Sequence, residues 1–256
     1  MSIEIAFVLA AAFGAGIIDA MAGGGGLIQL PALFAAYPSA PHPALLGTGK
    51  LAGFAGTTSA IFRYVRHVRI DWTLVLPAAA SAFGAALVGA WIATQVSPER
   101  FRTMVPVLLT VVLIHTLAHR DFGREHKPRG RGRRGRALAA AGAGAIGLYD
   151  GFFGPGTGSF LVFMFVRAFG LDFLHASASA KVVNAAANVA AILLFGLTGD
   201  LYWLLGLAMA VFNVTGAQVG SHLAIRHGSG FVRGVFMVVV GCLIAKTGWD
   251  ALAPAG

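Results

Sequence analysis

Asp19-Ala20-Met21-Ala22-Gly23-Gly24-Gly25-Gly26 and, 131 residues further on, Asp150-Gly151-Phe152-Phe153-Gly154-Pro155-Gly156-Thr157-Gly158 are two versions of one stretch. Each is followed by a lysine at the same distance, in Gly47-Thr48-Gly49-Lys50 and in Ala178-Ser179-Ala180-Lys181. The offset persists downstream, pairing Trp72 with Trp203, Gly89 with Gly220 and Arg102 with Arg233. Correspondence at one fixed offset without a gap marks an internal duplication. The chain therefore divides into a first copy at residues 1–119, a joining segment at 120–136 and a second copy at 137–256.

Composition decides what surrounds these copies. Charged residues make up 11% and apolar residues 57% of the 256, and the mean hydropathy is +0.77. Soluble domains carry about 25% charged residues, so the chain reads as an all-α integral membrane protein. Glu4 and the lack of an early Lys or Arg leave no basic region for a cleaved leader, so the first apolar run is expected to remain as a span. Cys242 stands alone in an apolar run and reads as core. The formal charge is +9, but eight of the 19 Lys and Arg fall between Arg120 and Arg136. A basic run between spans is expected on the cytoplasmic face, so it reads as a linker and topology signal, not a nucleic-acid-binding tail.

Apolar runs are predicted at Ile3–Met21, Leu27–Tyr37, Ala44–Phe62, Trp72–Thr94 and Phe101–Ala118, and again at Ala137–Phe153, Ser159–Phe169, His175–Leu197, Leu201–Ala224 and Phe231–Trp249. The second in each copy is short. Leu27–Tyr37 as a helix rises about 16 Å, half the hydrocarbon core. Non-helical backbone is thus expected at membrane depth, where it is tolerated only if buried in protein or lining a polar cavity. If the short piece crosses, each copy has five segments and the copies are inverted; if it turns back, each has four and they run parallel. With the basic linker inside, the five-segment count places Arg63, Arg66, Arg69, Arg167, Arg226 and Arg233 inside as well. The expectation is two five-segment inverted repeats with short broken helices, about ten membrane segments, and both termini outside.

The duplicated Asp-x-x-x-Gly-rich stretch, Gly47-Thr48-Gly49-Lys50 and Ala178-Ser179-Ala180-Lys181-Val182-Val183-Asn184 resemble the TauE/SafE family of sulfite exporters over nearly the whole chain. Members of that family often carry Thr-Asn-Lys where this chain has Thr48-Gly49-Lys50. The resemblance implies a bacterial inner-membrane transporter of small sulfur-containing anions, with no cofactor.

The residues themselves point the same way. Lys50 and Lys181 each lie six residues into an apolar run, about 9 Å deep, and approach the midplane from opposite sides if the copies are inverted. A lysine at that depth either faces a cavity and serves a substrate, or is structural, snorkelling or pairing with an aspartate. Backbone amides at Gly23, Gly24, Gly25 and Gly26, and at Gly154, Gly156, Thr157 and Gly158, precede short helices whose N-terminal ends suit an anion; the glycines could equally serve close packing. Asp19 and Asp150 could carry a proton, pair with the lysines or cap a helix start. Thr48, Ser179, Asn184 and Asn188 add hydrogen-bonding groups on the lysine helices.

Neither glycine run continues into Gly-Lys-Ser or Gly-Lys-Thr, so a P-loop is excluded. His115 and His119 stand at helical spacing without the further ligands a metal needs. The small-residue faces at Ala85–Gly89 and Gly216–Gly220 pack the two copies together or build a homodimer. The leading function is a secondary transporter working by alternating access on a small anion, with protons as an optional coupling ion. A membrane-embedded enzyme and an anion channel are the alternatives.

Overall fold

The computed structural model describes residues 3–97, 100, 104, 127–129 and 132–252. The predicted run at Phe101–Ala118, His115, His119, Arg102 and the linker from Arg120 to His126 lie outside them. All regular structure among the described residues is helical. The order is α1 (Ile3–Ala22), α2 (Gly26–Ala36), α3 (His42–Val65) and α4 (Trp72–Gln95), then α5 (Arg133–Phe152), α6 (Thr157–Phe169), α7 (Phe173–Thr198) and α8 (Trp203–Leu252). The starts of α2, α3 and α4 fall 131 residues before those of α6, α7 and α8. The offset of 131 read from the residues thus also relates the starts of these elements.

Local chemistry sets the boundaries. Asp71 caps α4 by accepting from the Thr73 amide, and Asp172 caps α7 by accepting from the His175 amide, each satisfying a donor that the first turn leaves open. Gly170 and Gly199 end α6 and α7 in the left-handed region, where glycine carries no Cβ penalty. Two expected boundaries move. Helix α5 begins at Arg133, so Arg133 to Arg136 of the basic run are helical; arginine is a good helix former, and an apolar-run criterion cannot register it. The second change is only of one end: α8 is two helices that meet at a kink at Gly228 (φ 73, ψ −169), matching the two predicted spans Leu201–Ala224 and Phe231–Trp249 except that the first runs on to Gly228.

Ile3–Ala22, Trp72–Gln95, Phe173–Thr198 and Trp203–Gly228 are long and apolar enough to cross a membrane. Large apolar side chains such as Phe62, Leu197 and Leu204 point outward, Leu197 at 87% and Leu204 at 85% exposure. Water would penalise such a surface, whereas lipid accepts it.

The copies interlock by exchange. Helix α1 packs on α8 of the other copy, as α5 packs on α4. Glycines make both contacts. A Cβ on Gly89 would sit 2.8 Å from the Phe152 amide nitrogen, and one on its counterpart Gly220 would sit 2.9 Å from Ile17 Cα. The small-residue faces at Ala85–Gly89 and Gly216–Gly220 are therefore buried within the chain. The linker is anchored too: the Lys127 amide donates to Gly170 O (2.9 Å) and the Arg129 amide to Phe169 O (2.9 Å), tying it to the end of α6.

Gly89→Val and Gly220→Val are expected to lower stability by about 1–3 kcal/mol each through overpacking, read as a lower unfolding temperature in detergent. Gly84→Ala, where a Cβ meets nothing within 4 Å, should leave that temperature unchanged or raise it.

Candidate functional site

Two breaks in helical backbone meet at the centre. Helix α1 stops where Gly23 turns left-handed (φ 76), and the link after α5 contains two left-handed glycines, Gly154 (φ 99) and Gly156 (φ 86). Gly23 lies backbone to backbone against Gly158, and a Cβ on Gly26 would sit 3.2 Å from Pro155 Cα. Each break thus rests on the first turn of the other copy's short helix. Side chains larger than hydrogen at Gly23 or Gly158 would part the two.

Helix α1 ends in the protein interior, where its last carbonyls cannot find water. All four are met. The Lys181 ammonium and the Gly23 amide donate to Asp19 O, the Tyr64 hydroxyl to Ala20 O (2.9 Å), the Ser177 hydroxyl to Met21 O (3.2 Å) and the Ser159 hydroxyl to Ala22 O (3.3 Å).

The charges are exchanged between copies as the helices are. Lys50 Nζ of the first copy lies 2.6 Å from Asp150 Oδ2 of the second, with side-chain exposures of 9% and 2%. Lys181 Nζ of the second copy lies 3.8 Å from Asp19 Oδ2 of the first, with exposures of 3% and 16%. Subtracting or adding 131 converts one pair into the other. The pairs differ in detail. Asp19 Oδ2 also accepts from the Thr57 hydroxyl (3.0 Å), and the Lys181 ammonium stands 5.9 Å from the centroid of the Tyr64 ring. Both aspartates sit in the last turns of α1 and α5, so they do not cap helix starts. A carboxylate there opposes the helix dipole, and the lysine offsets it.

A cavity of about 70 Å³ opens between the breaks, room for roughly five waters or one compact anion when a single water takes about 10–15 Å³. Gly23, Gly25, Gly26, Lys50, Gly154, Gly156, Thr157, Gly158, Asn184 and Asn188 all line it, with Asp19 and Asp150. Among the described residues no acceptor is assigned to the amides of Gly24, Gly25, Gly154 or Gly156, which lie outside the helices. Four expected residues do not line it: Gly24, Thr48, Ser179 and Lys181. Thr48 donates to Ala44 O (2.6 Å) and accepts from the Tyr202 amide (3.0 Å), fixing the approach to α8. Ser179 donates to His175 O (2.9 Å) and lines a separate cavity with Arg69, Asp71 and Arg129. Lys181 acts from behind Asp19.

Sequence reasoning passed over Gln29, Thr57 and Asn213. The Gln29 amide nitrogen donates to Gly49 O (2.7 Å), and its oxygen accepts from Asn213 (2.8 Å), which also donates to Ala12 O (3.1 Å). A lone Gln in the apolar half-helix and a lone Asn in an apolar span were the available signals, since buried amides need partners. Tyr64 and Ser177 gave none, because their partners are backbone atoms of another helix. Among the described residues no three His, Cys, Asp or Glu gather to hold a metal.

The Sulfite exporter TauE/SafE family description matches residues 8–247. The chain belongs to this family. It is 35% identical over 235 residues to "Probable membrane transporter protein ORF9" of Sinorhizobium sp, covering 92% of this chain and 88% of that protein. It is 34% identical over 237 residues to "Probable membrane transporter protein YfcA" of Escherichia coli K12, covering 93% and 87%. A Haemophilus influenzae "Probable membrane transporter protein" is 30% identical over 250 residues, covering 96% and 95%. No solved structure matches. The family and its relatives are named as transporters and not as enzymes, and this TauE/SafE chain is a membrane protein with several apolar helices.

Removing one partner of a buried pair costs about 3–5 kcal/mol because it strands the other charge. Lys50→Gln is therefore expected to lower the unfolding temperature markedly. The double variant Lys50→Gln, Asp150→Asn should recover most of that loss, which thermal unfolding in detergent would show.

Proposed function

We propose that this TauE/SafE protein is a secondary transporter that carries a small sulfur-containing anion, such as sulfite or a sulfonate, across the bacterial inner membrane by alternating access. The observation that carries this reading is the central cavity, where the Lys50 ammonium, glycine amides at the heads of α2 and α6 with no assigned acceptor among the described residues, and the Asn184 and Asn188 amides converge. Those groups are donors, and in a low-dielectric pocket they suit a compact anion. Lys181 contributes through Asp19. The sulfur chemistry of the substrate and the outward direction are supported by the family's description. The interior-negative membrane potential favours efflux of a free anion.

The topology we propose is five plus five segments, inverted, with the linker cytoplasmic and both termini outside. The exchange of partners between copies and the meeting of the two half-helix heads support it. Alternating access then consists of one copy rocking against the other about the cavity.

Uptake into proteoliposomes at fixed membrane potential, with sulfite, sulfate, methanesulfonate and ethanesulfonate as candidates, tests the substrate class; saturable flux of at least one is expected, and no flux of any rejects it. Lys50→Gln should weaken half-saturation roughly tenfold to hundredfold, since a charge-assisted contact is worth about 1.5–3 kcal/mol, and Lys181→Gln should weaken it indirectly, by releasing Asp19 and the end of α1. Normal transport by both would make the lysines purely structural. For topology, cysteines placed in the linker and near residue 256 of a Cys242-free protein are expected to label from opposite sides; labelling from one side would favour four plus four.

A further inference from the structure

We propose that Asp150 is the proton-binding group of the transport site: an entering anion displaces its carboxylate from Lys50, and the freed carboxylate takes up one proton. This rests on the reading of the cavity as an anion site. The resting cavity is not a preformed cationic hole. Its Lys50 ammonium is already matched by Asp150, and Lys181 behind it by Asp19, so an anion must replace a carboxylate or leave the buried site with a net negative charge.

The two aspartates are not equal candidates for replacement. Asp19 is held by the Thr57 hydroxyl at 3.0 Å, is 16% exposed, and lies on the turn whose carbonyls are gripped by Lys181, Tyr64, Ser177 and Ser159. Asp150 is 2% exposed, and apart from the Lys50 ammonium no donor among the described residues meets its Oδ2. The residues at the Tyr64, Ser177 and Ser159 positions of the other copy are Phe195, Leu46 and Ile28, none of which carries a donor for the end of α5, and the Thr57 position is Asn188, a neutral amide lining the cavity with no bond to Asp150 Oδ2. Asp150 is thus held at Oδ2 by the one cation that a substrate would claim.

Among the described residues no second cation stands by to take over from Lys50; the cavity offers the displaced carboxylate only neutral donors, such as the Asn184 and Asn188 amides. Helix α4, which packs along α5, has no titratable side chain, and α6 has only Arg167 near its far end. Helix α3 offers Lys50, with His42 and Arg63 near its ends, and α7 offers Lys181, already engaged with Asp19, and His175 in its first turn. On α5 itself the neighbour is Tyr149, whose hydroxyl donates to Pro155 O at 2.7 Å, and Arg133, Arg134 and Arg136 lie in its first turn. Two anions sharing one ammonium in an enclosed pocket cannot both stay ionised. Protonation resolves this with the charge balanced: ammonium and carboxylate before, ammonium, anion and carboxylic acid after. The proton is drawn from the bulk solution, whose buffer supplies it, and the cavity has room for water that would relay it.

For a monovalent sulfonate each cycle is then electroneutral. The membrane potential drops out, and export requires about a tenfold excess of anion inside for each pH unit by which the outside is more acidic. Because binding takes up a proton, affinity falls as pH rises, by about tenfold per unit where Asp150 is ionised when free and protonated when the anion is bound.

The test is calorimetric titration of the purified full-length protein in detergent with methanesulfonate, which stays ionised and so has no proton of its own to report. Tris and Bis-Tris at one pH differ in ionisation heat and are not anions. The expected result is a difference in heats equal to about one proton taken up per anion, with Kd rising about tenfold per pH unit. Asp150→Asn should bind with equal heats in both buffers and no pH slope. Equal heats and a flat pH profile for the unmodified protein would overturn the proposal while leaving the anion site standing, and need no variant to fold. No binding of methanesulfonate, ethanesulfonate or sulfate would overturn the anion site and the proposal with it.

Discussion

Two ammonium groups can lie buried in this protein because each meets an aspartate that the other copy supplies. Lys50 reaches Asp150 and Lys181 reaches Asp19, and a buried charge without such a partner is among the most destabilising features a protein can carry. The rest of the arrangement answers to that requirement. The aspartates must stand at the ends of α1 and α5, so those helices must stop in the interior. Stopping there demands glycine at the break, and close approach of the breaks demands glycine opposite them at Gly158 and Gly26.

A second constraint comes from the solvent. Lipid offers no donors or acceptors, so every interrupted helix must be completed by protein. The end of α1 is completed by side chains from α3, α6 and α7, which places hydroxyl groups and a lysine around one turn. The same shortage bears on the glycine amides at the breaks, which have no assigned acceptor among the described residues. The two sides of the break therefore differ: the carbonyls that end α1 are satisfied by the fold, whereas the glycine amides beyond it have no assigned acceptor among the described residues.

Much of this was legible in the residues. The offset of 131 located both breaks, both lysines and both aspartates, because duplication preserves spacing even where identities drift. Short apolar runs gave α2 and α6 within a residue or two, since length against bilayer thickness is a geometric test. What stayed hidden depends on contacts between elements. Nothing local says that Lys50 pairs with Asp150 in place of Asp19, that Thr48 faces Tyr202, or that Tyr64 and Ser177 tie off a helix end. Arg133 to Arg136 were assigned to the linker because hydropathy does not detect a charged helical turn. Gln29 and Asn213 were in view as polar residues in apolar runs, yet only the fold shows them bonded to each other.

The exchange of partners also has a genealogical consequence. A single copy has its lysine and its aspartate but offers each to a surface it does not possess, so the smallest self-sufficient unit is two copies, whether separate or fused. Fusion through the linker fixes their ratio at one to one. It also couples distant positions: a change of charge at residue 50 without one at 150, or at 181 without one at 19, strands a buried charge, whereas positions that satisfy backbone around them, such as Tyr64 and its counterpart Phe195, differ between the copies.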